Sequence, residues 1–195
     1  LQTQFQTLGL RPTAADGGWT QDVPLVGVTT HAPPTVTFRS VDSELALRTS
    51  DEFIANVGRP VAQTTINDAQ LVFVGYGIEA PEYEWNDYKD VDLRGKVLVM
   101  MNNDPSDYPE LFEGRRRLYY GRWDYKYESA ARQGAAGAII IHTTPSAGYP
   151  WQVVQTSWSG EEFELRGSDG PRMDLKAWVS EDAARRLVSL GGHDL

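Results

Sequence analysis

Two uninterrupted apolar runs, Val97-Leu98-Val99-Met100-Met101 and Gly137-Ala138-Ile139-Ile140-Ile141, leave few folds open to this chain. Runs of this kind, without polar alternation, read as strands buried on both faces, the pattern of a parallel sheet covered by helices. Between them, residues from about Asp124 to Gln133 carry a helical pattern with Tyr127, Ala130 and Ala131 on one face. Gly134 follows where a left-handed stop is expected. Strand, helix and strand make a βαβ crossover, which is right-handed in nearly all known cases.

The same grammar recurs at the end of the chain. Leu175-Lys176-Ala177-Trp178-Val179 reads as a strand, and Ser180 as the N-cap of a helix with Glu181 and Asp182 against its positive end. Ala184, Leu187 and Val188 form the apolar stripe of that helix, and Gly191-Gly192 stop it. Upstream, Val23 to Thr30, Thr35 to Arg39, Glu44 to Thr49 and Leu71 to Val74 read as strands. Asp51 to Asn56 is too short to assign. Leu1 to Leu10 reads as the last turns of a helix closed by Gly9, so the chain is expected to be a piece of a longer polypeptide.

With 195 residues the chain can bury roughly 70% of its unfolded surface, so neither a metal nor a disulfide is needed for folding. Cysteine is absent, which removes disulfides, thiolate ligands and a cysteine nucleophile. A net charge of −9 repels phosphate backbones, and Arg115-Arg116-Arg117 is too short to reverse that field; nucleic acid is not an expected partner. The longest apolar runs fall far below the ~20 residues of a membrane span.

Catalytic patterns are sparse. The three histidines, His31, His142 and His193, lie in no His-Glu-x-x-His helix and in no His-x-Asp pair. His142 ends an apolar strand and reads as a polar cap on the sheet edge, with a self-contained hydrolase built on it as a minor alternative. Glu161-Glu162 resembles a base-and-ligand pair but lacks His and Asp partners, so a solvated loop charge is expected. No Gly-x-Ser-x-Gly elbow is present. Gly75-Tyr76-Gly77 lacks the third glycine of a dinucleotide site and reads instead as a strand end needing unusual φ or a close backbone approach. Asn102-Asn103-Asp104-Pro105-Ser106-Asp107 offers oxygens of the kind calcium takes, although Asx turns before Pro105 explain these residues too.

The connection from Met101 to Trp123 is long for a compact domain and rich in aromatic residues. The span from Tyr108 to Phe163 holds 11 of the chain's 21 aromatic residues, which points to a surface that packs on something. The candidate interaction surface comprises Arg115, Arg116, Tyr119, Tyr120, Arg122, Tyr149, Trp151 and Trp158, with Trp123 and Tyr125 beside it. Trp123 and Tyr127, flanking the helix, are expected to belong to the core, whereas Tyr149, Trp151 and Trp158 fall in a segment read as irregular.

Several motifs in order resemble the protease-associated domain of secreted zinc aminopeptidases. They are Leu71 to Ile78 followed by Ala80-Pro81-Glu82-Tyr83, then Asp87-Tyr88, Gly95-Lys96-Val97, Tyr120 to Glu128, Ala130 to Ala138, Ala147 to Trp151 and Val153-Val154-Gln155. The resemblance covers roughly residues 66 to 190. Phe5 to Pro12 and Val23 to Val28 are similar to the lead-in of the same enzymes. It implies residues 1–40 as a lead-in belonging to a peptidase domain and 41–195 as the protease-associated domain. The implied fold is β-rich α/β, an open β-barrel or mixed sheet with a βαβ crossover and flanking helices. It further implies a non-catalytic lid, access filter or contact surface beside an active site, in a secreted or periplasmic enzyme that removes N-terminal residues from peptides. On that reading the partners are the parent's own peptidase domain and a peptide substrate. No catalytic residue and no cofactor is expected in this chain, and zinc belongs to the peptidase domain. A free-standing peptide- or protein-binding domain is the alternative.

Overall fold

The computed structural model describes residues 1–106, 108–167 and 170–195. Helix α1 (Gln2–Thr7) is followed by strands β1 (Leu25–Thr29), β2 (Thr35–Arg39), β3 (Glu44–Arg48) and β4 (Phe53–Val57). Next come β5 (Leu71–Phe73), the short pair β6 (Glu79–Ala80) and β7 (Trp85–Asn86), β8 (Val97–Met101) and α2 (Trp123–Arg132). The remainder is β9 (Gly137–His142), α3 (Thr144–Ala147), α4 (Trp151–Ser157), β10 (Glu161–Leu165), β11 (Leu175–Ser180) and α5 (Glu181–Leu190). This is a mixed α/β structure built on one five-stranded mixed sheet, with no closed barrel among the described residues.

The sheet order is β4-β11-β9-β8-β5. β5, β8, β9 and β11 run parallel, and β4 closes the edge antiparallel to β11. All six residues of β9 are buried, as its apolar run requires of a central strand. Side-chain alternation divides the core in two. Leu98, Met100, Ala138, Ile140 and Trp178 meet Tyr127, Ala130 and Ala131 of α2 and Val154 of α4 on one face. Val97, Val99, Ile139, Ile141, Ala177 and Val179 meet Ala183, Ala184 and Leu187 of α5 on the other, together with Phe38 and Leu47 of the β2–β3 hairpin. Each fully buried Val, Leu, Ile, Met or Phe among them contributes about 1.5–3 kcal/mol of transfer free energy.

The hairpin spans residue 40, and β1 pairs antiparallel with β10 in a separate ribbon. The βαβ unit and the final strand and helix form where the apolar runs place them, and Gly134 adopts φ +72 after α2. Ser180 occupies the N-cap position of α5, but its side chain makes no capping hydrogen bond.

Three local expectations are corrected. The segment from Tyr149 to Trp158 is not wholly irregular: α4 takes Trp151–Ser157, with Pro150 at its N-cap and Trp158 at its C-cap, and Val154, 1% exposed, anchors the helix on the sheet. Packing there outweighs the weak helix preference of Val153-Val154. Glu161-Glu162 lies in β10 rather than in a loop, since pairing with Val28 and Thr29 gives its backbone a ladder. Phe53–Val57, unassigned from its length, is an edge strand, with Phe53 and Ile54 buried on opposite faces.

Candidate functional site

The parallel strands end along one edge of the sheet, and the residues that follow them carry most of the polar chemistry. After β5, Gly75 and Gly77 adopt φ +58 and +63. A Cβ on Gly77 would collide with Met100 Sδ, so both conformation and space demand glycine. This turn is held by side chains from distant segments. Tyr88 donates its hydroxyl to the Gly77 carbonyl at 2.9 Å and lies 2.6 Å from Ser129 Oγ. Asp87 accepts from the Ile78 N–H at 2.9 Å, and Lys126 Nζ donates to the Tyr76 carbonyl at 2.5 Å. The turn is a structural joint, as the missing third glycine implies.

Lys126 is the most unusual group here. It is fully buried on α2, with its ammonium 5.7 Å from the Tyr76 ring centroid and 6.0 Å from that of Tyr125. Burial, opposed by the charges of Asp87 and Asp104, pushes the ammonium down to about 7. Asp104, 1% exposed, accepts the Leu118 N–H on Oδ2 at 3.0 Å, while its Oδ1 has no partner. Asn103 Oδ1 accepts from Arg117 at 3.0 Å. The oxygens proposed for calcium therefore sit among protein donors and two cationic side chains; Asp107 lies outside the described residues.

The long connection after β8 folds onto its own aromatic residues. Phe112 is fully buried, with ring centroids of Tyr83 at 4.6 Å, Trp85 at 5.6 Å and Tyr120 at 5.7 Å. Ile78, Ala80 and Tyr125 complete this third cluster. Much of the aromatic enrichment thus packs within the chain.

The structure divides the candidate surface residues between separate neighbourhoods. Tyr119 and Tyr120 stand by the third cluster, their hydroxyls hydrogen-bonded to Glu128 and Glu82, and these acceptors push both phenols up to about 12. Arg115, Arg116 and Arg122 are exposed, with Arg116 paired to Glu113 and Arg122 to Asp124. Tyr149, Trp151 and Trp158 are half-buried against the main core instead. Trp158 meets Trp178 at 5.7 Å and Trp123 at 5.2 Å. Trp123 is itself 40% exposed, more than its expected core place allows, whereas Tyr127 is buried and donates to the Ala177 carbonyl at 2.8 Å.

A polar groove of about 410 Å³ opens where β9 and β11 end, lined by Arg48, Glu52, His142, Trp151, Glu181 and Asp182 among others. His142 is 2% exposed, and burial lowers its pKa against a raising hydrogen bond to the Tyr149 main chain. It ends β9 as expected, but as a buried residue of a central strand. The sequence missed Lys126 and Asp87. The one signal for Lys126 was its place on the inner side of a helix whose next turn is Ser129-Ala130, residues too small to fill that space.

In comparisons with known proteins, no family model and no curated sequence matches this chain. Among the described residues no helix is long and apolar enough to cross a membrane.

Proposed function

We propose that this chain is a protease-associated module of a zinc aminopeptidase, acting beside the active site as a lid, access filter or contact surface. The observation that supports it is convergence. The motifs carrying the resemblance are far apart in sequence, yet Tyr76-Gly77, Asp87-Tyr88 and Tyr125 to Ser129 build one joint at the sheet edge. Their polar groups bind main-chain atoms and one another, which is the work of a scaffold that fixes loops. Chemistry in the parent would rest on a zinc-bound water and a carboxylate outside this chain, with the module acting through access and positioning.

A second observation agrees with a docked module. On the outer face of the β1–β10 ribbon, Leu25 stands opposite Leu165 and Gly27 opposite Phe163. Leu25, Phe163 and Leu165 are 47%, 61% and 58% exposed, an apolar face of the kind a neighbouring domain covers. The natural polypeptide containing this chain is expected to release N-terminal residues from leucyl-nitroanilide in a zinc-dependent manner, and this chain alone with zinc to run at the buffer rate. Turnover by the chain alone, or no zinc-dependent exopeptidase activity in the natural polypeptide, overturns the reading. Tight peptide binding by the chain alone would favour a free-standing recognition domain instead.

A further inference from the structure

The groove at the ends of β9 and β11 has a charge and donor pattern that the scaffold does not use. It holds four carboxylates, Asp51, Glu52, Glu181 and Asp182, against one guanidinium, Arg48. Arg48 lies 3.1 Å from Asp51 and 3.5 Å from Glu52, and Glu52 is also paired with Arg186. Arg185 holds Glu181 at 2.7 Å. Asp182 has no ion-pair partner among the described residues, so the groove keeps an excess of negative charge.

His142 supplies an independent sign of a missing ligand. Its Nε2 is buried and without a hydrogen-bond partner. With the imidazole proton on Nδ1, that Nε2 is a buried acceptor with no donor. The ring centroid lies 5.6 Å from that of Trp151, and both residues line the groove. An acceptor left buried without a donor costs about 1–3 kcal/mol, a cost that a bound donor removes.

We propose that this groove binds a primary ammonium group, of a peptide N-terminus or a lysine side chain. Asp182 and Glu181 attract the charge, the Trp151 indole offers a cation–π face, and His142 Nε2 accepts one ammonium hydrogen. The carboxylates do not gather three or more ligands at one point among the described residues, which suits a compact donor better than a coordinated ion. Nε2 is covered in the unliganded chain, so binding moves the neighbouring Trp151 indole, whose Nε1 is held by the Asp51 carbonyl at 2.7 Å. The inference stands on the groove alone and is independent of the module reading.

The test uses the full ¹⁵N-labelled chain at neutral pH and three probes. Triglycine amide carries only an α-ammonium, N-acetyl-lysine methylamide only a side-chain ammonium, and N-acetyl-norleucine methylamide neither. Saturable shifts of His142 Nε2 and Trp151 Nε1–H with at least one ammonium probe, and none with the norleucine probe, are expected. The tighter ammonium probe names the source, and equal binding means that the ammonium alone is recognised. Asp182→Asn should weaken binding about threefold or more, as should raised salt. His142→Phe should abolish the shift at Trp151; where that variant fails to fold, Asp182→Asn carries the test. Equal response to the neutral probe, no response at these two side chains, or unchanged affinity in Asp182→Asn overturns the proposal.

Discussion

The Lys126 ammonium and the Tyr76 carbonyl meet at 2.5 Å although fifty positions separate them. The contact ties α2 to the turn after β5, and Asp87 and Asp104 supply the charge that makes a buried ammonium tolerable there. Because Asp104 also caps Leu118, the same centre positions the aromatic connection that follows β8. One lysine therefore ties α2 to the turn after β5, in the electrostatic field of Asp104 from the connection after β8.

Stability should carry the signature of that lysine. Burial pushes its ammonium down to about 7 from the ordinary 10.5, so between those values the unfolded chain binds more protons than the folded one. Stability from this group therefore rises with pH above about 7 and is flat below it, where both states are protonated. Urea midpoints measured at pH 6 and pH 9 should increase for the native chain. In Lys126→Met that component of the rise should disappear, and loss of the buried Lys126–Tyr76 hydrogen bond should cost about 1–3 kcal/mol. An identical pH slope in the two proteins would contradict the assignment.

Tyr88→Phe isolates the other half of the joint. It removes a buried hydroxyl bonded to the Gly77 carbonyl and to Ser129 Oγ while leaving the ring packing intact. A loss of about 1–3 kcal/mol in chemical denaturation is expected, because both partners stay buried. A double-mutant cycle with Ser129→Ala should show coupling, since the two hydroxyls share one bond.

What the sequence revealed of this structure follows burial. Val97–Met101 and Gly137–His142 are legible because a strand covered on both faces admits only apolar residues. Phe53–Val57 and Glu161–Leu165 are strands at margins, where partner strands rather than composition decide, and they did not announce themselves. The site was less legible still. A lysine carries no mark of burial in its own identity, and Lys126 became a core residue only because Tyr76, Asp87 and Asp104 arrive from elsewhere. His142 was placed at its strand end correctly, yet the Tyr149 and Trp151 rings beside it come from just before, and from the first residue of, a helix whose pattern was too short to read.

Phe112→Ala should open the connection after β8 without unfolding the sheet. Phe112 is fully buried among Tyr83, Trp85 and Tyr120, whereas its own backbone lies in an irregular segment. Truncating a buried phenylalanine costs about 3–5 kcal/mol. The cost falls on the third cluster, so limited proteolysis should cut between Tyr108 and Leu118 well before cleavage within β8 or β9. Simultaneous cleavage throughout the chain would mean that the cluster is not a separable unit.

Phe163→Ser with Leu165→Ser separates surface from core. Both side chains are on the outer face of the β1–β10 ribbon and more than half exposed, so folding of this chain alone gains little from them. Each substitution should change its stability by no more than about 0.5 kcal/mol. In the natural polypeptide the module reading expects a peptidase domain to cover these residues, where each large apolar side chain is worth about 1.5–3 kcal/mol. The double variant should then lower the thermal midpoint of the natural polypeptide, raise protease access to the ribbon and alter selectivity between short and long peptides, all without changing the melting of the isolated chain. Equal loss in both contexts would make the ribbon part of this chain's own core, and no loss in either would remove it as the docking face.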